Sequence, residues 1–192
     1  MGSNPIQGVM RINREYFCIS IISENSAYKY NLLISIINEI KNKKRINYYF
    51  SNYFNIINLL DINKINKEVK FLPYNGLEDM ISLIMGFPWL KDTILIFDNV
   101  SMLNLEVIDN INYFVRLNLF LSYIRLMTES KDSIAIFLVD SIKDPVFNLI
   151  KYWCDFEISL NIEGNKPEIK VKDMDSNLTK IIDIEDLKQW IA

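Results

Sequence analysis

The chain has 192 residues, half of them hydrophobic, with 21 Lys and Arg against 24 Asp and Glu for a formal charge of −3. This composition excludes a disordered chain, the length suits one domain with a substantial core, and no cationic excess is present for bulk neutralisation of nucleic-acid phosphates. Histidine is absent and cysteine occurs only twice, which removes the commonest general base and argues against a structural zinc site.

Residues 1–10, MGSNPIQGVM, carry no apolar signal region and read as a tag or disordered leader, leaving 11–192 as a single domain. Cys18 and Cys154 sit inside apolar runs and read as buried thiols of a reducing compartment. No apolar stretch approaches the roughly 18–20 residues of a membrane span, so a soluble, cytoplasmic protein without membrane contact is expected.

In chain order, 17–22 (FCISII) is an apolar run without polar alternation, the pattern of a strand buried on both faces. From Tyr28 to Asn42 the period becomes helical, with Leu32, Leu33, Ile36, Ile37 and Ile40 on one stripe. The Lys41, Lys43, Lys44, Arg45 cluster that follows reads as a solvated helix end, where cations suit the dipole. A strand over 46–50, a helix or helical loop over 53–60, and a strand over 69–72 ended by Pro73 and Asn75-Gly76 come next. A helix over 77–87 stops at Pro88, and Phe87-Pro88-Trp89-Leu90 forms an aromatic loop whose Trp89 is a candidate interface residue. Thr93–Phe97 is the strongest strand and ends at Asp98; a long helix spans 105–127, and strand 133–139 ends at Asp140. After a short helix at 146–152, strands 156–162 and 168–172 read as an antiparallel hairpin turning at Gly164-Asn165, and helix 184–191 closes the chain.

Strands alternating with helices imply a mostly parallel sheet with helices on both faces, extended by the terminal antiparallel hairpin. In such sheets ligands bind beyond the carboxyl ends of the strands, here Ser23, 50–52, Asp98-Asn99 and Asp140-Ser141. Asp173 and Asp175, beside Asn177, lack the Gly and Glu of a calcium loop and read as turn residues.

The order of elements, with TILIFDNVSML (93–103), the 115–141 helix and strand, and YWCDFEISL (152–160), resembles the RecA superfamily, in its branch of KaiC-like proteins and archaeal RadA paralogues. The resemblance implies a RecA-like α/β fold and places Ser23 to Tyr30 where a phosphate-binding G-x-x-x-x-G-K-[ST] loop belongs. In that register Lys29 falls at the phosphate lysine and Asp98 at the magnesium-directing aspartate. Ser23 and Tyr28 replace the glycines, and Tyr30 stands at the magnesium-binding hydroxyl. Glu24 adds a negative charge beside the phosphates, and 50–53 offers no catalytic acid. A Lys-x-Arg pair that reaches a neighbouring subunit is matched only by Lys172, with Met174 in the Arg place. The bland readings are an exposed helix-start lysine for Lys29 and a turn-capping strand-end residue for Asp98.

The sequence therefore suggests a non-catalytic RecA-fold accessory subunit of recombination or repair, without cofactor. It would work as a homodimer or as a heteromer with an active RecA-type ATPase, through the terminal hairpin and whichever of the loop and helix-flank aromatics Tyr28, Tyr30, Tyr53, Phe54, Trp89, Tyr113 and Trp153 are left exposed. The alternatives are a KaiC-like regulatory ATPase binding ATP and magnesium through Lys29 and Asp98, and a DNA-binding module using the 41–45 face.

Overall fold

The computed structural model describes residues 17–40, 43, 45–51, 61–86, 91–98, 100, 111–143, 145–163 and 166–191. The expected leader at 1–10, the helix at 53–60, Trp89, the first turns of the 105–127 helix and the Gly164-Asn165 turn lie outside them.

The elements are β1 (Phe17–Ile22), α1 (Ser26–Glu39), β2 (Arg45–Ser51), β3 (Glu68–Tyr74), α2 (Leu77–Gly86), β4 (Thr93–Phe97), α3 (Ile111–Ser130), β5 (Ile134–Val139), α4 (Pro145–Trp153), β6 (Phe156–Glu163), β7 (Lys166–Asp173), β8 (Thr179–Ile182) and α5 (Ile184–Ile191). All eight strands join one sheet in the order β3-β2-β4-β5-β1-β6-β7-β8. Pairing is parallel from β3 through β6 and antiparallel across β6, β7 and β8.

Strand β1 shows why the continuous apolar runs are central. Phe17, Ile19 and Ile21 pack with Leu33, Ile36 and Ile37 of α1 and Leu187 of α5 on one face. Cys18 and Ile22 join Leu117, Leu121 and Ile124 of α3 and Val146 and Ile150 of α4 on the other. Helices thus cover both faces of the parallel part. Beyond β1 the pattern changes to alternation: Phe156, Ile158 and Leu160 of β6 and Ile169 and Val171 of β7 belong to the α1 and α5 layer. Among the described residues, none of β6 to β8 joins the opposite layer.

Three boundaries differ from the sequence reading. Strand β3 continues through Pro73 to Tyr74, with Phe50 opposite Pro73. Among the described residues it is the edge strand, with a side that no other strand pairs, where a missing N–H costs little. Helix α1 begins at Ser26, two residues earlier than its apolar stripe suggested. The terminal hairpin gains β8, so β7 is an interior strand and the outer edge is only four residues long. Asp173 accepts hydrogen bonds from the N–H groups of Asp175 (2.9 Å) and Ser176 (3.2 Å), and Asn177 takes φ 58, so this acidic cluster does serve the β7–β8 turn.

Both cysteines are free and buried, and burial pushes both thiols upward. Asp155, just before β6, ties this region together. Its carboxylate accepts from the Cys18 N–H at 2.8 Å and from the Nη1 and Nη2 donors of Arg125, the latter at 2.7 Å. Burial works to lower the Arg125 pKa, but the paired Asp155 holds it above its ordinary value.

Candidate functional site

The carboxyl ends of β1, β2, β4 and β5 converge on a buried polar cluster. Its first part is the connection from β1 to α1, which has only three residues, Ser23 to Asn25. Ser23 donates its N–H to the Val139 carbonyl at 3.2 Å, which anchors the turn to the end of β5. The Ser23 hydroxyl accepts the Asn25 N–H (3.1 Å) and donates to the Asn25 carbonyl (3.2 Å). Asn25 then caps the helix: its side chain accepts from the Tyr28 N–H (3.2 Å) and its carbonyl from the Lys29 N–H (3.0 Å). The phosphate-binding consensus needs a wide glycine-rich turn whose N–H groups face a ligand. Here the backbone donors of Asn25, Tyr28 and Lys29 are bonded within the turn, and residues 26–28 are already helical.

Lys29 is not the exposed helix-start lysine of the bland reading. Its side chain is 1% exposed, and its ammonium forms an ion pair with Asp140, immediately after β5. The ammonium also lies 5.5 Å from the centroid of the Tyr30 ring. Asp140 is 48% exposed, so the pair has one buried and one half-exposed member.

Asp98 likewise departs from its reading as a turn cap. It is fully buried at the end of β4, and one carboxylate oxygen accepts from the hydroxyls of Tyr30 (2.8 Å) and Tyr48 (2.5 Å). Its backbone carbonyl accepts from the Tyr74 hydroxyl at 2.6 Å. The three phenols come from α1, β2 and β3, so the cluster binds four elements together. Burial, then the nearby Asp98 carboxylate, raises the pKa of each of these three tyrosines.

Tyr30, read at the magnesium-binding hydroxyl position, donates its hydroxyl to Asp98, read at the magnesium-directing aspartate. A phenol is far longer than a serine side chain, however, and its ring lies buried in the space beside Asp98. Magnesium requires a near-octahedral oxygen shell with several waters. A buried carboxylate oxygen already holding two phenol donors does not fit that demand.

Other candidates lie elsewhere. Lys172 is half-buried in β7, opposite Glu157 and Thr179; through Glu157, Ser20 and Phe137 its register runs level with Phe97, but β7 lies four strands across the sheet from β4. Of the basic cluster, Lys43 is not solvated: it is 2% exposed and ion-paired with Asp92 at 3.3 Å, while Arg45 pairs with Glu68 at 3.6 Å. Lys41 and Lys44 lie outside the described residues. Among the aromatic residues expected in loops and flanks, Tyr30 and Tyr113 are buried, Trp153 is half-buried and Tyr28 is exposed. Tyr53 and Phe54, like Trp89, lie outside the described residues.

The sequence reading missed Tyr48 and Tyr74. Their signal was present: Tyr48-Tyr49 sits in the interior of a strand, and a phenol buried there has to reach an acceptor. Beside the cluster, a cleft of about 480 Å³ opens between the β1–α1 turn, the residues after β5, and β6.

No family model and no curated protein matches this chain. Solved structures do. B204, the DNA-packaging ATPase of Sulfolobus turreted icosahedral virus, aligns with a TM-score of 0.60 at 13% identity, over 90% of this chain and 98% of that one. The flagellar accessory protein FlaH of Methanocaldococcus jannaschii aligns at 0.53 and 14% identity, over 82% and 77%. A KaiC-like protein of Pyrococcus horikoshii aligns at 0.52 and 8% identity, over 88% and 83%. These neighbours share the RecA-type P-loop fold, and the likeness establishes a RecA-like fold for this chain.

Proposed function

We propose that this chain is a RecA-fold subunit that neither holds nor hydrolyses ATP and acts by contact with another protein. The observation that carries the reading is the Tyr30–Asp98 hydrogen bond at 2.8 Å, because the residue read at the magnesium-hydroxyl position spends its hydroxyl on the carboxylate that would direct the metal. Lys29, neutralised by Asp140, supports it. Phosphoryl transfer needs the cradle, the lysine, the metal ligands and a water-positioning group at once, and here each is altered or already engaged.

The expected result is no saturable binding of a fluorescent ATP analogue with magnesium, and no turnover above background, for wild type and Lys29→Ala alike. Turnover that Lys29→Ala abolishes would overturn the reading. That outcome would establish the second reading, a KaiC-like regulatory ATPase binding ATP and magnesium through Ser23, Lys29, Tyr30 and Asp98. It draws support from the ATPases among the structural neighbours and from the contact between Tyr30 and Asp98. Direct DNA binding by the 41–45 face is weakened by the burial of Lys43 and the pairing of Arg45.

The protein-contact part of the proposal draws on α2 and α3. Met85, Val115, Leu119 and Leu126 are each more than half exposed, and an apolar groove of about 310 Å³ runs between the two helices. The partner is a second copy of this chain or an active RecA-type ATPase. Recombination or repair is the setting that the RadA-paralogue resemblance suggests, while the packaging, flagellar and KaiC-like neighbours support the wider class. Light scattering of the purified protein is expected to show a dimer or larger species that Leu119→Glu dissociates. A strict monomer at high concentration, with no complex formed when an active RecA-type ATPase is added, would refute this part.

A further inference from the structure

We propose that the outer face of α3 packs antiparallel against α3 of a second copy of this chain, about a twofold axis level with residues 120 and 121. The inference rests on the reading above, a sealed nucleotide site and an α2–α3 contact surface, and it names the partner and the register.

Helix α3 is apolar on two sides. Leu117, Phe120, Leu121 and Ile124 enter the core beneath it. On one flank Arg116 is ion-paired with Glu78 of α2, and on the other the Trp153 indole N–H of α4 donates to Asn118 at 2.8 Å, so α3 lies between these two helices. Away from the core, Val115, Leu119 and Leu126 are each more than half exposed. With Asn112, Ser122 and Glu129 they make a stripe at 112, 115, 119, 122, 126 and 129, in alternating steps of three and four. That spacing is the seam of a two-helix coiled coil.

The stripe is complementary to itself in one direction only. Run antiparallel, 112 meets 129 of the second copy, 115 meets 126 and 119 meets 122. Glu129 then faces the amide of Asn112 at the wet ends of the seam, and Val115 faces Leu126. At the centre the large Leu119 faces the small Ser122. The Ser122 hydroxyl already donates to the Leu119 carbonyl of its own helix at 2.7 Å, so it brings no unpaired donor into the contact. Run parallel, each residue meets itself: Glu129 faces a like charge, and Ser122 against Ser122 leaves a void between leucine layers. The antiparallel twofold also sets α2 against its own copy, where the exposed Met85 widens the contact beyond a single helix pair.

The test uses two variants of the full chain, Val115→Cys and Leu126→Cys, on tags of different size. Both positions are exposed, so the fold is expected to hold, and the native Cys18 and Cys154 are buried. In the proposed register a thiol at 115 stands beside one at 126 of the second copy. Like positions are offset by eleven residues along the axis, about 16 Å, beyond the reach of a disulfide. Mild oxidation of the mixture is expected to give at least about tenfold more disulfide dimer than either variant alone, joining one variant to the other. Crosslinking no greater in the mixture than in the single variants overturns the inference. Should either cysteine variant unfold, Ser122→Trp replaces them: it blocks the seat of Leu119 and is expected to weaken the dimer at least about tenfold in sedimentation equilibrium. An unchanged dissociation constant overturns the inference as well. A chain that is monomeric alone yet binds an active RecA-type ATPase also overturns it, while leaving the contact reading in place. ATP turnover abolished by Lys29→Ala would instead refute the sealed-site reading and leave the crosslinking pattern to decide the pairing, so the two failures are distinguishable.

Discussion

Raising the pH from about 10 to about 11 is expected to unfold this protein cooperatively, with the ionisation of Tyr30, Tyr48, Tyr49 and Tyr74 as the main cause. All four are buried. Burial raises each of their pKa values, Tyr49 to about 12, and the Asp98 carboxylate raises the other three further. An acid whose folded pKa lies above its unfolded pKa holds its proton longer in the native state. Below the unfolded value, about 10 for a phenol, both states are protonated and the full stability is present. Above it, the unfolded chain releases protons that the native chain retains, and stability falls until the folded pKa is passed. One such group costs about 1.4 kcal/mol at one pH unit above its unfolded pKa, so four together cost about 6 kcal/mol. That is the whole stability of a marginal domain. The check is a pH titration followed by far-UV circular dichroism and phenolate absorbance together. Loss of secondary structure should coincide with a phenolate step, and Tyr74→Phe should make the pH dependence shallower. A protein that keeps its secondary structure while these phenols ionise would show that the cluster is open to solvent and would remove the basis of the sealed site.

The fold was legible because its signals are local. The unbroken apolar runs at 17–22 and 134–139 could satisfy only strands covered on both faces, and Gly164-Asn165 between 156–162 and 168–172 marked an antiparallel hairpin. Element boundaries failed where a tertiary fact decided them. Pro73 reads as a stop unless β3 is known to be the edge, and Thr179–Ile182 is too short to read as a strand without β7 to pair with. The site was legible in position and illegible in state. Strand ends and register placed Lys29, Tyr30 and Asp98 together, as the structure does. What no local pattern could show is that each is buried, since the partners lie 111 residues away for Lys29 and 68 for Tyr30. A lysine or tyrosine on the first turn of a helix reads as exposed until the carboxylate that receives it is located. Lys43 misled in the same way: within a basic run it reads as solvated, yet its ammonium folds back onto Asp92 across 49 residues. Buried polar groups are specified by pairs, and a single sequence displays only the members.

Replacing Asp98 should separate a structural carboxylate from a metal ligand, because the two roles predict opposite effects on stability. A carboxylate kept for magnesium is an uncompensated charge when the metal is absent, and its removal then leaves the fold unharmed or steadier. In this structure Asp98 is instead the acceptor for two buried phenols. Asp98→Ala leaves both hydroxyls unpaired, each at about 1–3 kcal/mol, and adds a small void beside Tyr30 and Tyr48. A loss of about 3–5 kcal/mol is therefore expected, visible as a lower urea midpoint at unchanged slope. Asp98→Asn preserves the volume and one acceptor oxygen, so at least one phenol stays bonded and the expected loss is only about 1 kcal/mol. A metal role removes this ordering, since the amide and the alanine would both abolish metal binding while neither weakened the fold. The double substitution Tyr30→Phe/Tyr48→Phe completes the comparison: in that background the step from Asp98 to Ala no longer orphans the two hydroxyls, so its cost should shrink. If Asp98→Ala is as stable as wild type, the phenols are not held by this carboxylate, and the space beside it remains available to a metal and a nucleotide.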